Sequence, residues 1–82
     1  MQVFEYVKDK VLNCRFRDHT FELERETGNN WSYGNWYMIA KDDSGRYACD
    51  GWIDDSSHYT AKQAMIAACE GAMIEPPKRW PL

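Results

Sequence analysis

Three cysteines and two histidines are the side chains of this sequence that could do covalent or metal chemistry. Cys14, Cys49 and Cys69, with His19 and His58, could supply a nucleophile–base pair or the ligands of a zinc ion. Their spacing favours neither, because there is no C-x-x-C pair and the number of cysteines is odd. Free cysteine is among the most buried residue types, so we predict that the thiols pack in the core. We place the histidines in surface turns and expect no catalytic residue, no metal and no other cofactor.

Aspartates concentrated in residues 42–55 could bind a hard cation, act as paired carboxylates or face a basic partner. The spacing is not that of an EF-hand loop. Asp42 and Asp43 fall in a predicted turn, and Asp54 and Asp55 lead into a predicted helix start, where the helix dipole favours negative charge. These roles are structural. The functional alternative is an acidic surface that steers a basic partner, speeding association and selecting against wrong partners. On this basis we also predict Asp42, Asp43, Asp54 and Asp55 as partner-binding residues.

Large aromatic side chains alternate with glycine and asparagine in GNNWSYGNWY, residues 28–37. Trp31 and Tyr33 fall in a predicted loop, and rigid rings among adaptable polar neighbours are typical of binding loops and interface hot spots. Trp36 and Tyr37 open a predicted strand, so one ring faces the core and the other faces away. We predict Trp31, Tyr33 and Trp36 as partner-binding residues, with a lid over the core as the alternative role of Trp31.

The bulk properties limit the function classes. With 82 residues the chain is predicted to form one domain, 1–82, in which 75–82 is a short tail. Its aromatic fraction of 15% exceeds what one thin core absorbs. The net charge is −3, and the excess of acid lies in residues 42–82. A nucleic-acid-binding protein normally carries a basic stripe, because phosphate neutralisation supplies most of the affinity, and this sequence lacks one.

The compartment is inferred from the cysteines and from apolar runs. Three cysteines without paired spacing do not predict a disulfide framework. No signal-peptide pattern opens the sequence, and no apolar run approaches the length that spans a membrane. We therefore expect a reducing cytoplasm and no membrane association.

Residues 3–12 allow two interpretations. The apolar residues share one helical face, which predicts a short N-terminal helix. Their β-branched and aromatic character favours instead two strands joined by a turn at Asp9-Lys10. Alternation then predicts half-buried strands over 11–17 and 21–26, with a turn at Asp18-His19.

A hairpin follows in the middle of the sequence. The apolar run 36–41 predicts a central strand, and 46–53 predicts the returning strand. The residues between them, Asp42 to Gly45, are those of a short hairpin loop with Gly45 at positive φ. Asp50-Gly51 within the returning strand indicates a bulge or a close backbone approach.

The clearest predicted element is a helix that begins after Thr60. Thr60 and Gln63 have the spacing of a capping box, in which each side chain hydrogen bonds to the backbone N–H of the other. Small residues, mostly alanine, then recur every three to four positions, and Pro76 and Pro77 are expected to end the helix. Together the elements predict an α+β fold: an antiparallel sheet of three to four strands with one C-terminal helix packed across it.

Residues 36–73 resemble the strand–turn–strand–helix core of HicB-type antitoxins, in which an acidic hairpin loop with glycine also leads to a Thr-capped, Ala-rich helix. The same order of elements occurs in double-stranded-RNA-binding domains. In those domains a lysine cluster opens the final helix, and here only Lys62 stands at that position, so the RNA-binding residues do not carry over.

In size, charge and composition, the chain as a whole resembles the small accessory proteins of phages and mobile elements, anti-CRISPR proteins among them. It is compact, acidic and rich in aromatic residues, and it has no catalytic motif. Those proteins generally act by binding a host protein. The resemblance therefore implies an inhibitor or regulator that works by protein–protein contact.

We interpret the sequence as a non-enzymatic protein-binding domain, an inhibitor or regulator of a larger cytoplasmic protein such as a phage-encoded anti-defence protein. The alternative is a nucleic-acid module or antitoxin-like regulator. The residues that would stack on bases or meet phosphates in that alternative are Trp31, Tyr33, Trp36, Trp52, Arg15, Arg17 and Arg25. An uncovered sheet face or edge strand would also allow a homodimer.

Overall fold

A computed structural model describes residues 2–28 and 34–79. The elements are β1 (Gln2–Val7), β2 (Val11–Phe16), β3 (His19–Arg25), β4 (Trp36–Asp42), β5 (Tyr47–Trp52) and α1 (Ala61–Gly71). The five strands form one antiparallel sheet in the order β1-β2-β3-β4-β5, so each strand pairs with the next one in the chain. The fold is α+β with one C-terminal helix, but the prediction of three to four strands is wrong, because the sheet has five.

The additional strand is β1, and the predicted short N-terminal helix is wrong. Val3 pairs with Cys14 and Tyr6 pairs with Leu12, while the register shifts between Val3 and Glu5. This bulge places Val3 and Tyr6, three positions apart, on the same side of the sheet. A three-residue spacing imitates a helical face, which is why periodicity alone suggested a helix. The alternative of two strands with a turn near Asp9-Lys10 is the correct one.

The turns differ in how well local sequence determined them. Gly45 has φ +87° and donates its N–H to the Asp42 carbonyl at 3.0 Å, which confirms the predicted hairpin loop. The β2–β3 turn uses Arg17 and Asp18, both at positive φ, so His19 begins β3 rather than lying in the turn.

The bulge expected at Asp50-Gly51 is wrong: the β4–β5 register shifts between Ala40 and Lys41 instead. A Cβ added to Gly51 would meet nothing within 4 Å, so no close backbone approach occurs there either.

Helix α1 lies across β3, β4 and β5 and covers one face of the sheet. Its capping box is confirmed, because Gln63 N donates to Thr60 Oγ1 at 3.4 Å and Thr60 N donates to Gln63 Oε1 at 2.8 Å. The buried helix face consists of Ala61, Ala64, Met65, Ala68 and Cys69. Against it lie the fully buried sheet residues Leu12, Cys14, Phe21, Leu23, Trp36 and Ala40. Small helix side chains thus allow close contact with large rings and branched chains from the sheet.

The helix ends at Gly71, before the prolines that were expected to stop it. Ile74 N donates to Cys69 O and Met73 N donates to Glu70 O, both at 3.0 Å, which is the hydrogen-bond pattern of a Schellman motif. Met73 occupies the position that usually holds glycine, with φ +61°. The side chain of Met73 is 91% exposed, so it gains no packing there.

Arg25, the last residue of β3, ties three loops to one end of the sheet. Its Nε donates to the Asp9 carbonyl at 2.6 Å, and its Nη1 donates to the carbonyls of Gly34 and Ser57, each at 2.7 Å. Its Nη2 donates to the Tyr59 carbonyl. One guanidinium therefore holds the β1–β2 turn, the backbone just before β4 and the loop before α1.

Within the part of the chain that the structure describes, no helix is long and apolar enough to cross a membrane.

Candidate protein-binding surface

The sheet face opposite α1, here called the open face, is built from alternate residues of all five strands. Cross-strand pairing arranges these residues in three rows. The first row is Val7, Val11, Glu24, Tyr37 and Trp52. The second row is Glu5, Asn13, Glu22, Ile39 and Asp50. The third row, nearest the β4–β5 hairpin, contains Arg15, Thr20, Lys41 and Tyr47. Apolar residues of this face, including Tyr37, Ile39 and Trp52, are only half-buried.

Tyr37 and Trp52 form an aromatic corner at one end of the open face. Their ring centres are 4.9 Å apart and the ring planes meet at 84°, an edge-to-face arrangement. The Tyr37 hydroxyl donates a hydrogen bond to Asp50 Oδ1, which fixes the ring and raises the pKa of Tyr37 above its ordinary value of 10.0. The corner is thus held by contacts between β4 and β5.

Two shallow depressions lie along the open face. One, of about 240 Å³, borders the aromatic corner and is lined by Glu24, Arg25, Glu26, Thr27, Tyr37 and Trp52. The other, of about 350 Å³, is lined by Glu5, Val11, Asn13, Glu22, Leu23, Glu24, Tyr37 and Ile39. Glu24 and Tyr37 border both depressions. In the second depression Asn13 Nδ2 donates to Glu5 Oε1 at 2.9 Å. Carboxylates and apolar side chains therefore alternate on this face.

Charge is distributed unevenly over the open face. Its carboxylates, Glu5, Glu22, Glu24 and Asp50, lie in the first two rows. Its two cations lie in the third row and have partners there. Arg15 Nη2 is 2.7 Å from Asp43 Oδ1, and Lys41 Nζ lies 5.0 Å from the centre of the Tyr47 ring. The end of the face that holds the aromatic corner is the acidic end.

Trp36, predicted as a partner-binding residue, is fully buried, so in this structure it is a core residue and offers no contact surface. Its Nε1 donates to the Tyr59 carbonyl at 3.1 Å and its backbone N–H donates to Ser56 Oγ at 2.8 Å. The expectation that one of Trp36 and Tyr37 faces the core is confirmed, with Tyr37 on the outer side. The other two predicted anchors, Trp31 and Tyr33, lie outside the described residues.

The predicted aspartates of 42–55 have mixed surroundings. Asp42 Oδ1 accepts hydrogen bonds from Ser44 Oγ at 2.6 Å and Ser44 N at 2.9 Å, and from Arg46 N at 3.1 Å. These bonds, led by that from the Ser44 hydroxyl, lower the pKa of Asp42. Asp43 is paired with Arg15, as above. Asp54 and Asp55 are exposed turn residues between β5 and α1, and Asp55 has φ +52°.

The cysteine thiols lie in or beside the core. Cys14 and Cys69 are fully buried, and Cys49 is half-buried. Burial raises the pKa of Cys14 to about 11 and that of Cys69 to about 12, and it also raises the pKa of Cys49. A thiol that stays protonated at neutral pH is a poor nucleophile. Residues 2–28 and 34–79 contain no group of three histidine, cysteine or acidic side chains placed to hold a metal ion.

The open face also contains residues that the sequence analysis did not select. Glu22, Glu24, Tyr37 and Ile39 belong to it, and all four lie outside the acidic segment 42–55. The available signal was alternation within each strand: Glu22 and Glu24 in β3, and Tyr37 and Ile39 in β4. Alternation does not show which outward residues of different strands are neighbours, because that depends on the register between the strands.

Comparison with models of known protein families, with curated proteins and with solved structures finds no match for this chain.

Proposed function

We propose that this chain is a non-enzymatic protein-binding domain, an inhibitor or regulator of a larger cytoplasmic protein, and that the open face is its contact surface. A phage-encoded anti-defence protein, similar in mode of action to anti-CRISPR proteins, is the form of this function that the sequence favours. The observation that carries the proposal is the open face itself: a sheet face opposite the helix on which half-buried Tyr37, Ile39 and Trp52 stand among carboxylates.

The composition of the open face supports protein contact. Aromatic and aliphatic side chains rimmed by charged ones mark interaction sites when they form a continuous patch. Tyr37, Ile39 and Trp52 come from neighbouring positions of β4 and β5, so their side chains adjoin. Tyrosine and tryptophan are also the residues that most often contribute strongly to binding energy at interfaces.

The competing functions have less support. Two of the arginines that would meet nucleic-acid phosphates are engaged within the chain: Arg25 donates to four backbone carbonyls, and Arg15 pairs with Asp43. The acidic end of the open face would repel phosphates. For an enzyme, the raised thiol pKa values disfavour a cysteine nucleophile.

Site-specific photo-crosslinking in cell lysate tests the proposed surface. A benzophenone amino acid is introduced as Ile39→p-benzoylphenylalanine on the open face, and as Lys62→p-benzoylphenylalanine on the exposed side of α1 for a matched control. We expect one protein adduct of defined mass with the label at position 39 and none at position 62. Mass spectrometry identifies the adduct, and excess unlabelled protein should compete it away. A competed adduct from position 62 alone would contradict the proposal.

A further inference from the structure

We draw no further inference here: the strongest candidate, the patch of exposed apolar side chains that Val3, Phe4 and Val7 form on the edge strand β1, carries none because nothing in residues 2–28 and 34–79 shows what covers it.

Discussion

The guanidinium carbon of Arg25 lies 4.9 Å from the centre of the Trp36 ring, and both side chains donate a hydrogen bond to the same carbonyl oxygen, that of Tyr59. The pair joins the end of β3 and the start of β4 to the loop that leads into α1. The indole is buried, so the cation above it is partly removed from water, and a cation–π contact gains strength when it is desolvated.

Arg25→Lys should therefore destabilise the fold although it keeps the positive charge. A lysine ammonium can replace one or two of the four carbonyl contacts, and it leaves the others without a donor. We expect the free energy of unfolding to fall by about 2–4 kcal/mol in a urea titration. Arg17→Lys is the matched control, because Arg17 is exposed, and it should change stability by less than about 0.5 kcal/mol. Equal midpoints for the two variants would show that Arg25 does not hold the loops together.

Packing of α1 on the sheet is tested by enlarging its buried face. Ala64 and Ala68 are both fully buried, so Ala64→Trp or Ala68→Trp forces a large ring between the helix and β3–β5. Overpacking of this kind costs about 1–3 kcal/mol or more, a large share of the stability of a small domain. Lys62→Trp on the exposed side of α1 is the control and should melt like the parent. Parental melting temperatures for both buried variants would contradict the packing described above.

The thiols provide a prediction on reactivity and pH. Cys14 and Cys69 should react slowly with a thiol reagent in the native protein and quickly in denaturant.

The pKa values of Cys14 and Cys69 in the folded state, about 11 and about 12, exceed the ordinary value of 9.0. Unfolding therefore releases protons at alkaline pH. Their contribution to stability is intact below pH 9 and should be lost as the pH rises toward these values, by about 1.4 kcal/mol per pH unit for each thiol. Cys14→Ala with Cys69→Ala should flatten this alkaline slope, and fast labelling of the native parent would reopen the hypothesis of a cysteine nucleophile.

Met73→Gly is expected to stabilise the protein. Met73 adopts φ +61° at the end of α1, a conformation that strains any residue with a Cβ, and its exposed side chain contributes no packing. Removal of the strain should add about 0.5–1 kcal/mol to the free energy of unfolding. Glu75→Gly, two residues further on, is exposed and outside the motif, and should not stabilise. A loss of stability in Met73→Gly would mean that the helix does not end in this conformation.

Trp31 and Tyr33 remain candidates from sequence alone. If they anchor a partner, Trp31→Ala and Tyr33→Ala should leave the melting temperature close to parental and weaken partner binding by about 1–4 kcal/mol. Calorimetric melting and a binding titration with the partner identified by crosslinking measure the two quantities. A loss of about 3–5 kcal/mol of stability in Trp31→Ala, with unchanged affinity of the folded fraction, would make that ring part of the core.

Local signals predicted the C-terminal half of the fold well. Thr60 and Gln63 are three residues apart, and a capping box needs no information from elsewhere in the chain. Gly45 likewise acts within a loop of a few residues. In β1, the bulge between Val3 and Glu5 interrupts the alternation of side chains. Only the pairing with β2 shows which residues of β1 share a face of the sheet. Elements that are determined by nearby residues could therefore be predicted from the sequence. An element that is determined by its partner strand could not.

The candidate surface was harder to predict for the same physical reason. Alternation shows that Trp36 and Tyr37 face opposite sides, but which one α1 covers depends on how the helix lies on the sheet. The sequence suggested that Arg25 was available to bind phosphates. Its acceptors are backbone carbonyls as far away in the sequence as that of Tyr59, and a sequence pattern does not show such contacts. The position of Glu24 beside Tyr37 is a consequence of β3–β4 register, which no single strand reveals.

The simple strand order has a consequence for synthesis on the ribosome. Each strand of the sheet pairs with the strand made just before it, so the hairpins can form one after another with short loops to close. Helix α1 is made after all five strands, yet it covers the face that holds Phe21, Leu23 and Trp36. A nascent chain whose five strands have emerged from the ribosome would therefore display these side chains until α1 emerges. A delay after β5 has emerged from the ribosome and before α1 has emerged would expose that surface to chaperones and proteases for as long as the delay lasts.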